Sequence, residues 1–167
     1  MNQPTPGTAP RIVVGVDGSP SSKRALAWGS YMASAMEGVL EVVTAWQSPP
    51  SWTGVADDWD PATEAGTMLS NCCDEVFGAA PPKDLRTIVR AGAATAVLLT
   101  ESVGARMLVL GSRGHGGFTG LLLGSVSAAC AEHALCPTLI IHGDDLPPAV
   151  EPDAGRNSRA LLTEGTR

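Results

Sequence analysis

Gly111-Ser112-Arg113-Gly114-His115-Gly116-Gly117-Phe118-Thr119-Gly120-Leu121-Leu122-Leu123-Gly124-Ser125-Val126-Ser127 is the stretch that decides how this chain reads. Before it, Arg106 to Leu110 is a short apolar run, the pattern of a strand buried on both faces. After it, Ser125 to Leu135 is rich in small residues and leads to an apolar run opened by Pro137, which predicts a helix. A buried strand, a loop crowded with glycine and a helix opening on hydroxyls together suit phosphate. Glycine lets backbone N–H groups turn inward, and the first turn of a helix offers unpaired N–H groups carrying partial positive charge. Ser125 and Ser127 add hydroxyls at the same place.

Working outward, the same alternation repeats. Arg11 to Val16 predicts a buried strand ending at Asp17-Gly18-Ser19-Pro20, where Ser19 and Pro20 give an N-cap followed by proline at the first helical position. In the helix that follows, Ala25, Trp28, Gly29, Met32 and Met36 share one face, and Gly38 is expected to close it. Val39 to Trp46 predicts the second strand. The connection from Gln47 to Asp60 is long and carries Trp52, Trp59, Asp57 and Asp58. Covering the domain flank is its expected role, with a lid as the alternative. Asp60-Pro61 starts a second helix, in which Ala65, Met68, Leu69, Cys72 and Val76 fall at helical spacing. Leu85 to Val89 is a more polar strand and so an expected sheet edge. A helix over Ala93–Val103, a strand over Met107–Leu110 and a last strand over Pro137–His142 complete the series. Regular alternation of strand and helix implies right-handed crossovers and a parallel, doubly wound sheet with helices on both faces.

Length and charge narrow the function. The 167 residues suffice for one domain and its tails. Residues 1–10 are expected to be a disordered lead, 11–142 the folded domain, and 143–167, rich in Asp, Pro, Gly and Arg, a disordered tail without effect on ligand binding. A formal net charge of −6 argues against a nucleic-acid or anionic-membrane surface. A small polyanion remains a candidate, because backbone N–H groups need few cationic side chains to hold it. The four cysteines, Cys72, Cys73, Cys130 and Cys136, make no C-x-x-C pair and read as reduced core thiols of a cytoplasmic protein. No signal peptide and no apolar run long enough to span a bilayer is seen.

The central loop is not a P-loop, since Gly124 is followed by Ser125 where that motif needs lysine. Nor is it a dinucleotide fingerprint, since Thr119 stands where the third glycine belongs. Its pattern is G-x-x-G-x9-G-S, carried by Gly111, Gly114, Gly124 and Ser125. With it, over Arg11 to His142, the chain resembles the nucleotide-binding branch of the universal stress protein family. Val14 to Ser19, Val89 to Gly92 and His133 to Pro137 support the likeness.

The resemblance implies a five-stranded sheet in the order 3-2-1-4-5, with the ligand crevice between strands one and four where the winding reverses. It further implies that Gly15, Val16 and Asp17 meet adenine and ribose, and that Ala45 walls the base. Leu110, Gly111 and Gly114 would lie along the ribose and phosphates, and Gly124, Ser125, Val126 and Ser127 would hold the phosphates. Arg113 is an additional phosphate candidate. The implied ligand is ATP with Mg2+ or Mn2+, the cation resting on phosphate oxygens with Asp17 an indirect contributor. Relatives often carry proline or threonine beside the first-strand aspartate, and some carry histidine where this chain has Thr44. Both departures bear on the base more than on the phosphates.

The expected function is therefore an ATP-binding regulatory protein of the stress response, a homodimer through its last strand. Little or no hydrolysis is expected, because no side chain is poised to activate water. Binding of cyclic AMP, a nucleotide-free interaction scaffold, and an adenylating enzyme relying on Arg113 are the alternatives. His115, His133 and His142 read as solvated or structural residues and not as metal ligands.

Overall fold

The computed structural model describes residues 9–48, 60–114 and 122–148. Nine elements follow in strict alternation: β1 (Arg11–Gly15), α1 (Pro20–Ala35), β2 (Val39–Trp46), α2 (Pro61–Phe77), β3 (Leu85–Ala91), α3 (Ala94–Glu101), β4 (Met107–Gly111), α4 (Ser125–His133) and β5 (Thr138–Ile141). The strands form one parallel sheet in the order β3-β2-β1-β4-β5. β1 lies between β2 and β4, so the chain winds one way from β1 through β3 and the other way through β5. The crevice expected at that reversal therefore opens between the C-terminal ends of β1 and β4.

Alternation along each strand feeds two cores. Ile12, Val14, Leu40, Val42 and Val109 face α1 and α2 and pack with Leu26, Leu69 and Cys72. Val13, Val43, Leu108 and Leu110 face α3 and α4 and meet Val97, Leu98 and Cys130. Both faces of the three middle strands are covered, which is why those strands read as mainly apolar runs. β3 is an edge, as its polarity predicts, with Arg86, Thr87, Arg90 and Ala91 exposed. On α1, Ala25 and Gly29 of the expected face are buried, and Trp28, Met32 and Met36 pack half-buried on the same core.

Several boundaries differ from the sequence expectation. α4 ends at His133, not Leu135, because Ala134 is extended (φ −64°, ψ 139°) on the approach to Pro137, and Leu135 faces solvent. α3 covers 94–101 and β5 138–141, each shorter than expected, while β3 continues to Ala91. Gly38 does not supply the left-handed turn after α1. Glu37 does (φ 52°), and Gly38 is glycine for clearance, since a Cβ there would lie 2.3 Å from the carbonyl oxygen of Pro10. The periodicity of β2 hides one further feature. Glu41 is buried in mid-strand and accepts from the Arg11 guanidinium at 2.7 and 2.9 Å and from Arg86 at 3.3 Å. Arg11 also donates to the carbonyls of Glu101 and Val103, so this buried ion pair fastens the C-terminal end of α3 to the base of the sheet.

Two residues of the tail expected from residue 143 contact the body of the domain. Asp144 pairs with Arg24 at 3.1 Å, and the Asp145 carbonyl accepts from Trp28 Nε1 at 3.1 Å. Of the lead expected over residues 1–10, Pro10 is fixed to β2, its carbonyl accepting from the Val39 N–H at 2.8 Å, and the expectations for residues 1–8, for Trp52 and Trp59 and for residues 149–167 fall outside the described residues. Among the described residues no helix is long and apolar enough to cross a membrane.

Candidate functional site

A cleft of about 480 Å³ opens at the switch point. Its near wall is the end of β1, Gly15, Val16 and Asp17, with Ser22 of α1 behind it. Its far wall is Leu110, Gly111, Arg113 and Gly114, continued by Leu123 and the start of α4, Gly124 to Ser127. Val43, Thr44 and Ala45 of β2 close one side, with Ala94 and Leu98 of α3. Every residue singled out for the ligand in the sequence lines this one cleft.

The near wall is held by its own side chains. Asp17 Oδ1 accepts from the Ser19 N–H at 3.0 Å and from the Ser19 hydroxyl at 2.6 Å. Ser19 Oγ in turn accepts from the Ser22 N–H at 3.2 Å, capping α1, and Pro20 begins the helix without an N–H to satisfy. Ser22 Oγ accepts from the Asp17 N–H at 3.3 Å and donates to the Ser19 carbonyl at 2.9 Å. Part of the Asp17 carboxylate is thus spent on local capping, and its Oδ2 lies against Gly114 of the far wall.

The far wall is built differently. Gly124 is the N-cap of α4 and has no side chain to close it, so the N–H groups of the first turn open on the cleft. The loop returns to the strand it left: the Gly124 N–H donates to the Ser112 carbonyl at 2.8 Å. Ser127 Oγ donates to the Gly111 carbonyl at 2.7 Å. Its proton fastens α4 to β4, which leaves the oxygen lone pairs and the N–H for a ligand.

The glycines of the motif divide by what a Cβ would meet. At Gly111 it would come within 2.7 Å of the Ser21 backbone, so this glycine is required by the close approach of α1. At Gly114 it would come within 2.3 Å of Asp17 Oδ2, so this one lets the two walls meet. At Gly124 the nearest atoms stand at 3.6 Å, and φ is −71°. Neither space nor backbone conformation demands glycine at 124, and what its missing side chain leaves open is the cleft.

Ser22, Val43, Thr44, Ala94, Leu98 and Leu123 also line the cleft. Ala94 and Leu98 carry no local signal, because α3 reaches the cleft through the strand order and not through neighbouring sequence. Val43 and Thr44 stand beside Ala45 and follow from it once β2 is known to lie beside β1. His115, Gly116, Gly117 and Gly120 lie outside the described residues. Among the described residues no three His, Cys, Asp or Glu side chains converge on a metal position. Burial holds all four thiols above the ordinary cysteine range, Cys136 less simply because Ser102 opposes the effect. No disulfide joins them.

An open parallel sheet whose first and fourth strands border a glycine-edged cleft defines the doubly wound α/β proteins that take ligands at the switch point. The model of the Universal stress protein family matches residues 9–142, and the chain belongs to that family. It is 30% identical over 146 residues to a universal stress protein of Mycolicibacterium smegmatis, covering 80% of this chain and 48% of that protein. A universal stress protein of Mycobacterium tuberculosis H37Rv is 34% identical over 146 residues, with the same 80% and 48% coverage. The chain thus spans about half the length of these curated relatives. Among solved structures, a universal stress protein in complex with cAMP aligns with a TM-score of 0.61 at 28% identity, over 81% of this chain and 99% of that one. UspA from Lactobacillus plantarum aligns with a TM-score of 0.63 over the same shares, at 18% identity, a likeness of fold.

Proposed function

We propose that the domain over residues 11–142 binds an adenine nucleotide in the switch-point cleft, and that the preferred ligand is ATP. The observation that carries this reading is the N-terminus of α4, without a side-chain cap, lining with Asp17 a cleft large enough for a nucleotide. Phosphates would rest on the N–H groups of Ser125, Val126 and Ser127 and on the Ser125 hydroxyl, with Arg113 beside them. The base would lie toward Val16, Ala45, Ala94 and Leu98, the apolar end. The donor set fits an Mg2+ or Mn2+ ion only on the phosphates. Among the described residues Asp17 is the one carboxylate lining the cleft, and it is engaged by Ser19, so its contribution would be indirect.

The protein acts, on this reading, as a cytoplasmic stress regulator in which bound nucleotide selects a conformation. Its homodimer would form along β5, whose outer edge has no neighbouring strand among the described residues. A second reading, cyclic AMP as the ligand, is favoured by the 28% identical relative solved with cAMP. Titration calorimetry with ATP, ADP and cAMP, with and without magnesium, decides between them. Tightest binding of ATP supports the first reading, tightest binding of cAMP the second, and heat from none of them refutes both.

A further inference from the structure

We infer that Gly143–Asp145 is a latch that ties the two walls of the cleft together from behind and strengthens nucleotide binding. This deepens the function proposed above and rests on it.

The latch has two grips, both on α1. Arg24 and Trp28 are one helical turn apart and therefore share a face. Arg24 Nη1 pairs with the Asp144 carboxylate at 3.1 Å, and Trp28 Nε1 donates to the Asp145 carbonyl at 3.1 Å. Gly143, with φ at 69°, turns the chain from β5 toward them. Each side of the latch is fastened to one wall of the cleft. On the α1 side, Asp17 holds the cap residue Ser19, and Arg24 follows in the next turn. On the β5 side, the Ser112 N–H donates to the Ile141 carbonyl at 2.9 Å, and Ser112 lies between the cleft residues Gly111 and Arg113. The contacts of Asp144 and Asp145 thus join the helix that follows the near wall to the segment that follows the strand bonded to the far wall.

The grips are weak. The Asp144 side chain is 95% exposed, and an ion pair in that position contributes little and is screened by salt. A weak latch can be shifted by a ligand, and linkage requires the reverse: whatever opens the latch must weaken the ligand by the same factor. The expectation from composition, that the tail has no effect on binding, is the opposite.

The test measures the ATP dissociation constant by calorimetry for the full chain and for Asp144→Asn, Arg24→Gln and the double variant, with the apo melting temperature of each. Expected is a rise of about two- to fivefold in each single variant at low salt, the range that a surface pair allows. The double variant should match the singles, and the difference should fade at high salt. Asp144 is exposed, so Asp144→Asn serves if Arg24→Gln folds poorly. Amide exchange at residues 144–146 should slow when ATP is added. Equal ATP constants in every variant, with binding intact, overturn the latch and leave the proposed function standing. Wild-type protein that binds no adenine nucleotide overturns that function and the latch with it.

Discussion

The two strands that border the cleft, β1 and β4, are each followed by a helix, and these two helices start in opposite ways. α1 is closed: Ser19 caps it, Pro20 begins it and Asp17 supports the cap through two hydrogen bonds. α4 opens on Gly124 with no capping side chain. A capped helix has its early N–H groups satisfied, and an uncapped one must find partners in water or a ligand. On the proposed function, the difference marks where an anion would rest. The near wall is closed by its own side chains, and the far wall leaves the first turn of α4 without a side-chain cap.

The comparison can be broken most directly by giving α4 what α1 has. Gly124→Asp supplies a cap and puts a carboxylate where phosphate is proposed. ATP affinity should fall by on the order of 100-fold, about 2.7 kcal/mol, while the apo protein gains a few tenths of a kcal/mol. Calorimetry with apo melting curves reads both, and retained ATP affinity would place the phosphates elsewhere.

Gly111→Ala tests the contact between the two walls. Its methyl group would press on the Ser21 backbone, so stability should drop by about 1–3 kcal/mol in urea unfolding. Gly124→Ala has room and should change stability much less. Equal losses at both positions would show that the motif glycines serve one purpose. Removing the cap on the near wall, Ser19→Ala, should cost about 1 kcal/mol of stability and leave ATP affinity within about twofold. A larger loss of affinity would mean that the near wall is not complete without its ligand.

The smallest effect concerns the thiols. Burial raises Cys72, Cys73 and Cys130, so the folded protein holds these protons more tightly than the unfolded chain. The stability this contributes is fully present below the unfolded thiol pKa and is lost as pH rises through the higher folded values. Alkylation at neutral pH should therefore be slow in the native state and fast in denaturant. Rapid native labelling of Cys72 would show that the α1–α2 side opens.

Local patterns carried most of the architecture into view. Ser19-Pro20 and Asp60-Pro61 mark helix starts because cap and proline chemistry acts within three residues, and Asp60 does accept from Ala62 and Thr63 as such a cap should. Apolar runs mark β1, β2 and β4 because a parallel strand covered on both faces has no polar side to show. The ends of α3, α4 and β5 were less legible, since they depend on where packing stops and not on a local signal.

What the amino-acid order determined by itself was the succession of strands and helices, the glycine pattern from Gly111 to Gly124 and the residues bordering the cleft at β1 and β4. Those are short-range matters of periodicity, capping and backbone freedom. Only the tertiary structure decided that Ala94 and Leu98 join that cleft, that Glu41 is buried between Arg11 and Arg86, and that Asp144 reaches Arg24. It also separated the motif glycines, one required by the backbone of α1, one by Asp17 and one by neither. Each of these depends on residues far apart in the chain being brought within a few ångströms, and no local pattern encodes that proximity.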